Sequence, residues 1–448
     1  MNLALTYMKL RRNIRRPRRE IRALQHVKLH ALLRHVWEHS EWHRERLMAA
    51  GITEDSLDSV ALSDLPTMEK DDLLQNFDRL VTDPRLTQAA LRAIDSADHR
   101  GEATFLGQYH VVHSSGSTGK PAYFVYDGAA WHTMLAGIIR GALWEMSLPG
   151  IAGLFLRRAR ILYVAATDGR YGGAMAVGDG VSDMGLCQRS LDINAPVEDW
   201  TAMLRDYLPN VVIGYPSAVK LLCDIASERG IGFMPERIIT CGEPLSPGLR
   251  DWLKARLHAK IINFYGASES LALGVEGERG DGMRLFDDLN IIEVIDGEMY
   301  VTCLYNFTQP LIRYHITDRL RLRLEPQAGF SGAEVLLSRD EDILWFRDAS
   351  GRKEFLHPLA IEGFCYDGLT DYQFVKHDNS SFTMLAVAEP SRQPCILPQL
   401  REHMARILES NHLSWVDFRL RFVREILPDA RTGKKKLIVL DDNLCTAH

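Results

Sequence analysis

The densest set of residues able to do chemistry lies at 114–121, where SSGSTGKP sits between two β-like runs, HVVH before it and AYFVYD after it. Ser114, Ser115, Ser117 and Thr118 bring hydroxyls, Gly116 and Gly119 let backbone N–H groups approach closely, and Lys120 adds one mobile positive charge. That mixture suits a polyphosphate, which needs many donors at short range and a cation to offset its charge. A Walker A loop would need G-x-x-x-x-G-K-[ST]. Here Ser114 stands five before Gly119, and Pro121 follows Lys120 and opposes the helix such a loop must begin, so that reading is rejected. Taken alone, the segment would remain open to a plain Gly/Ser turn.

Further segments follow in order: TCGEP at 240–244, FYGASE at 264–269, PLIRYHITD at 310–318, RDED at 339–342 and RTGKKK at 431–436. Each is weak alone, but together with SSGSTGKP they resemble the ordered motifs of the adenylate-forming superfamily of acyl-CoA synthetases, peptide-synthetase adenylation domains and luciferases. The helical run containing SEWHRERLMAAGI, then LPTMEKDDL, GEPLS and PLIRYHITD, resemble the phenylacetate–CoA ligase branch. The resemblance spans residues about 25–440.

It implies ATP-dependent activation of a carboxylic acid as acyl-AMP, with pyrophosphate released. A carboxylate must then attack an α-phosphate, so two anions meet and cationic groups must offset the charge. By the match, Ser114, Ser115, Gly116, Ser117, Thr118, Gly119 and Lys120 hold phosphate, and Glu269 ligates Mg2+. Gly242, Glu243 and Pro244 line the adenine slot, Tyr265 stacks on adenine, and Gly266, Ala267 and Ser268 continue that wall. Asp318 takes the ribose hydroxyls and Arg339 adds a contact to the same sugar. Lys434 bridges carboxylate and α-phosphate, although Lys435 or Lys436 could serve instead. Gly214, Tyr215, Gly266 and Ala267, with Trp131 or Tyr163, are expected to line the acyl pocket, and small residues beside Tyr suit a flat aromatic acid.

The acceptor implied is a thiol, CoA. Relatives that use CoA follow the hinge with a glycine turn, whereas here 346–356 is a longer polar, hairpin-like stretch. This keeps open the phosphopantetheine arm of an acyl or aryl carrier protein, or an amine. Between residues 271 and 288 there are no Cys or His residues, so no zinc is expected.

These residues need a scaffold. Residues 20–80 carry apolar positions at helical spacing. From about 160 to 270, apolar runs such as ILYVAA, NVVIGYP, RIITCGEPLS and KIINFYGASES alternate with helical ones, as βαβ units with a parallel sheet do. Asp296-Gly297 between two alternating runs predicts a hairpin. The expected class is α/β: a large N-terminal domain, 1–338, with parallel-rich sheets flanked by helices and a β-rich subdomain, and a small mobile α+β C-terminal domain, 339–448.

A net charge of -6 gives no pull toward nucleic acid. The seven basic residues between Lys9 and Arg19 read as a solvated helix face interrupted by Pro17, or as a docking face for an acidic carrier protein. The opening residues do not read as a signal peptide, and no stretch approaches a membrane span. Seven scattered cysteines without a CxxC pair suggest reduced, mostly buried thiols, hence the cytoplasm.

Overall fold

The structure, a computed structural model, describes every residue except 1, 95–103, 114–121, 166–174, 177, 181–185, 244, 246, 297, 324–328, 337–343, 349, 357, 362, 363, 365, 367, 428–436 and 441–448. Its centre is a nine-stranded sheet. In spatial order the strands are Arg319–Arg323, Gly332–Leu336, Met283–Leu285, Ser270–Glu276, Lys260–Ala267, Arg237–Thr240, Val211–Gly214, Arg160–Ala165 and Cys187–Asp192. The last five pair in parallel with one another, and antiparallel pairing begins at Ser270–Glu276.

The parallel half explains the apolar runs. Strand Arg237–Thr240 is buried at every position, as expected when helices cover both faces of a parallel sheet. Helix Gly128–Ala142 packs against strands Lys260–Ala267 and Ser270–Glu276 and begins at Asp127, whose side chain accepts the Ala130 amide. Helix Pro216–Glu228 carries its apolar stripe to a core containing Leu221, Leu222 and Ile225.

A three-stranded sheet, Asn290–Ile295, Glu298–Cys303 and Tyr314–Ile316, lies beside it. The predicted hairpin forms in register, with Ile295 opposite Glu298 and Asp296 at φ +51°, the left-handed conformation its turn demands.

Toward the C-terminus, strands Asp417–Phe422, Ser381–Ala388, Leu369–Lys376 and Ile438–Leu440 form a separate sheet against helix Gln393–Ser410, around a core including Phe374, Phe382 and Leu400. The polar stretch after the hinge is a two-stranded hairpin, Leu344–Arg347 with Lys353–Leu356. Leu344 and Phe346 join the C-terminal core, whereas Phe355 meets Trp200 of helix Val197–Ala202 edge-on at 5.6 Å and Lys353 pairs with Glu228 of helix Pro216–Glu228 at 2.7 Å.

The basic N-terminus is only partly a solvated face. Helix Leu3–Asn13 ends before Pro17, which precedes Arg18–His39, as the proline predicts. Lys9, Arg12, Arg15, Arg16 and Arg19 are exposed, but Arg11 donates to the Met146 carbonyl at 2.7 Å and Arg18 pairs with buried Asp287. Long stems let these two reach inward from a polar surface. Two of the seven cysteines, Cys187 and Cys395, are exposed, while Cys223 and Cys303 are buried. Among the described residues no helix is long and apolar enough to cross a membrane.

One buried ion pair locks these layers together. Asp288 receives two bonds from Arg140 of helix Gly128–Ala142, at 2.7 and 2.9 Å, and one from Asn13 at 2.7 Å. Burial works against the Asp288 charge, but Arg140, Asn13 and Lys28 outweigh it and hold its carboxyl below its ordinary range. Arg140→Leu would leave that carboxylate buried without its bidentate partner, with only Asn13 and the Lys28 charge to offset it. It is expected to cost about 3–5 kcal/mol, checked by denaturant unfolding against the wild type.

Candidate active site

The predicted site residues gather at the carboxyl ends of the parallel strands, where open α/β sheets bind ligands. Tyr215 follows strand Val211–Gly214, Gly242 and Glu243 follow Arg237–Thr240, and Tyr265, Gly266 and Ala267 end Lys260–Ala267. Two of the glycines are dictated by their surroundings. Gly242 sits at φ +79°, and a Cβ there would meet the Tyr215 ring at 2.5 Å. At Gly266, where pairing with Ser270–Glu276 shifts register, a Cβ would meet the Leu271 carbonyl oxygen at 2.4 Å. The two glycines therefore allow close packing at the strand ends, of the Tyr215 ring on Gly242 and of the Leu271 carbonyl on Gly266.

The nucleotide-directed residues are coupled. The Tyr265 hydroxyl donates to Asp318 Oδ2 at 2.7 Å, so the side chain expected at adenine and the one expected at ribose share a hydrogen bond. Burial and the Asp318 charge push the Tyr265 phenol well above its ordinary range, so it stays a donor. Asp318 lies just beyond strand Tyr314–Ile316, and the bond from Tyr265 engages one of its two carboxylate oxygens. Glu243 accepts the Ser217 amide at 3.2 Å, at the N-terminus of helix Pro216–Glu228, where the helix dipole favours a carboxylate. Thus Glu243 also anchors the Tyr215 turn.

Glu269 is the electrostatic centre. Burial first, then Asp318, push its carboxyl up to about 7, with Lys70 pulling the other way. Lys70 belongs to the segment LPTMEKDDL and was not singled out by the sequence. It opens helix Lys70–Leu80 and is delivered by backbone pairing: Met68 N–H donates to the Arg313 carbonyl at 2.9 Å, and His315 N–H to the Met68 carbonyl at 2.8 Å. Arg313 clamps the same junction, donating to the Leu65 carbonyl at 2.5 Å and to Glu293 at 3.0 Å. Its place in PLIRYHITD is thereby explained as support for the site. The only signal for Lys70 was its presence in a segment that resembles the branch.

A carboxylate whose charge is poorly offset within the chain suits a cation that arrives with phosphates. Mg2+ is usually held by one or two carboxylates plus substrate oxygens, so Glu269 fits that role without a dedicated cluster. Among the described residues no group of three or more His, Cys, Asp or Glu could hold a metal.

The phosphate-loop residues Ser114, Ser115, Gly116, Ser117, Thr118, Gly119 and Lys120 lie outside the described residues, as do Pro244, Arg339 and Lys434. The strands that flank the loop are placed: His113 pairs with Tyr123, and Tyr126 donates to the Ser268 carbonyl at 2.9 Å. The loop therefore starts and ends on a ribbon tied to the residue before Glu269.

Beside this cluster lies a cavity of about 250 Å³ whose walls include Tyr163, Tyr215, Gly242, Gly266, Ala267 and Ser268. Of the expected acyl-pocket residues, Gly214 lies behind the wall in close contact with Val164. Trp131 is elsewhere: it stacks on His110 at 4.2 Å and donates to Asp179 at 2.9 Å. Its helix turns it to that side, which sequence spacing alone did not reveal.

No family model matches the chain. It is 26% identical over 366 residues to a phenylacetate-coenzyme A ligase of Aromatoleum evansii, covering 77% of this chain and 74% of that one. A phenylacetate-coenzyme A ligase of Escherichia coli is 25% identical over 354 residues, 73% of each chain. Among solved structures, a 2-hydroxyisobutyryl-CoA ligase complexed with 2-HIB-AMP and CoA aligns with TM-score 0.61 at 20% identity, over 96% of this chain and 91% of that one. Ordered motifs, fold and relatives agree: the chain is a homologue of phenylacetate–coenzyme A ligases and shares the fold of an acyl-CoA ligase, which supports an enzyme of the AMP-forming acid–thiol ligase type.

Proposed function

We propose that the protein activates an aromatic carboxylic acid of modest size with ATP, as acyl-AMP, and transfers the acyl group to the thiol of CoA. The observation that carries this reading is the convergence of Glu269, Asp318 and Tyr265 at the rim of an apolar cavity floored by Gly242 and Gly266. Nucleotide-directed polar groups and an acyl-sized cavity then meet at one edge, where a carboxylate and an α-phosphate must also meet.

In this reading Tyr265 and Asp318 orient the nucleoside, Glu269 holds the cation, and SSGSTGKP takes the phosphates. Bound Mg2+ would offset charge on the phosphate oxygens as pyrophosphate departs. Residues 339–448 form the mobile unit: they bring Lys434 to the α-phosphate for the first half-reaction and withdraw it for the second. Arg339 meets the ribose.

A second reading for the acceptor rests on the hairpin Leu344–Arg347 with Lys353–Leu356. Ser350, Gly351 and Arg352 in its turn are exposed, and it packs through Phe355 and Lys353 against two helices that flank the large sheet. That rim suits the phosphopantetheine thiol of a carrier protein, with an amine as a further acceptor.

Carboxylate-dependent ATP–pyrophosphate exchange across an acid panel tests the first half-reaction and is expected with aryl acids; none with any acid rejects it. Thioester formation on free CoA then supports the CoA reading. Transfer only to a loaded carrier protein favours the second.

A further inference from the structure

Behind the acyl cavity lies a second chamber, of about 70 Å³, that the reaction just described does not use. The two share walls at Ile138, Ala142, Ile213 and Ile239. The register explains why they are continuous. Tyr163 pairs with Ile213 and lines the first cavity, while Ile161 pairs with Val211, two residues back on the same strands, and lines the second. Side chains two apart on a strand share a face, so one groove runs back beneath helix Gly128–Ala142 by a single repeat, about 7 Å.

The chamber's wall is almost wholly apolar. Arg237, the charged residue on it, is only 4% exposed and donates Nε to the Ala142 carbonyl at 2.9 Å and Nη2 to the Trp144 carbonyl at 2.8 Å. Two of its N–H groups are thus turned to backbone carbonyls, and the rest of the lining is apolar. The far end opens beside Leu154 and Phe155 of helix Leu148–Leu156, and Phe155 is 39% exposed. An apolar substituent could enter without meeting a fixed stop.

We propose that the acid bears an apolar extension beyond its first ring, an alkyl or second aryl group, which lies in this chamber. This refines the substrate class of the proposed ligase and rests on that reading. The carboxyl and ring occupy the cavity between Tyr163, Tyr215 and Ala267, and the extension passes Ile138 and Ile213 to lie against Ile161 and Val211. Ala142 at the junction keeps the passage open.

The test is ATP–pyrophosphate exchange with benzoate, 4-butylbenzoate and 4-octylbenzoate. Each methylene moved from water to an apolar wall favours binding about fourfold, so the four carbons of the butyl group should raise kcat/KM about 250-fold from benzoate to 4-butylbenzoate. Uniform binding of this kind acts mainly on KM. Val211→Phe, and Leu143→Trp at the partly exposed rim as a variant less prone to misfolding, should lower the 4-butylbenzoate to benzoate ratio at least tenfold. Equal kcat/KM across the series, or a ratio unmoved in two folded variants, overturns the inference while leaving the ligase reading intact. Exchange with none of a broad acid panel overturns both.

Discussion

Glu269→Gln is expected to lower kcat/KM for adenylation by about 10²–10³-fold, with the deficit only partly recovered at high Mg2+. Gln keeps the shape and hydrogen bonding but cannot carry the charge a cation requires. The pH dependence follows from the same residue. Its carboxyl is pushed up to about 7, chiefly by burial, so it is largely protonated in the free enzyme below that pH. Wild-type kcat/KM should therefore fall as pH drops through about 7, and the limb should move to lower pH as Mg2+ is raised, because metal and proton compete for one carboxylate. A limb that ignores Mg2+ would remove Glu269 from the metal.

Stability should move in the opposite direction. A carboxyl raised from its ordinary value of 4.5 to about 7 binds more protons folded than unfolded, so its protonated form favours the fold at low pH. That contribution is lost as pH rises through the window from 4.5 to about 7. Gln is neutral throughout, so Glu269→Gln should be more stable than wild type above pH 7, on the order of 2 kcal/mol, and near wild type at pH 4. Thermal melts at the two pH values check this. A loss of activity with a gain in stability would mark a residue placed for chemistry against the preference of the fold.

Lys434→Ala is expected to lower adenylation by about 10²–10³-fold, since it removes the one cation assigned to the charge developing between carboxylate and α-phosphate. Thioester formation from supplied acyl-AMP should be nearly untouched, because the proposed cycle withdraws the lysine in that step. Lys435→Ala and Lys436→Ala should cost little. Single-turnover assays of each half-reaction separate these outcomes, and a large loss at Lys435 or Lys436 instead would reassign the role.

Much of the scaffold was legible because it is local. Parallel strands buried on both faces must be continuous apolar runs, so ILYVAA and RIIT announced themselves, and Asp-Gly is a residue pair that accepts the positive φ a tight hairpin turn requires, as Asp296 does. The order of motifs was legible too, since each strand end presents its own short segment to the ligand edge. Lys70 was not. It reaches Glu269 only because Arg313 and Met68 join segments far apart in the chain, and nothing in its immediate neighbours distinguishes it from a surface lysine. Arg140 and Asp288 look like surface charges for the same reason, and become a buried pair only when helix Gly128–Ala142 is laid on the sheet.

What the amino-acid sequence determined by itself is the α/β rhythm and the residue types at each strand end, hence the nucleotide chemistry. Only the tertiary structure decided the electrostatic state of Glu269, the bond between Tyr265 and Asp318, and the groove behind the acyl cavity. Propensity and periodicity act over a few residues, whereas desolvation and cavity shape are set by whichever distant side chains close around a point.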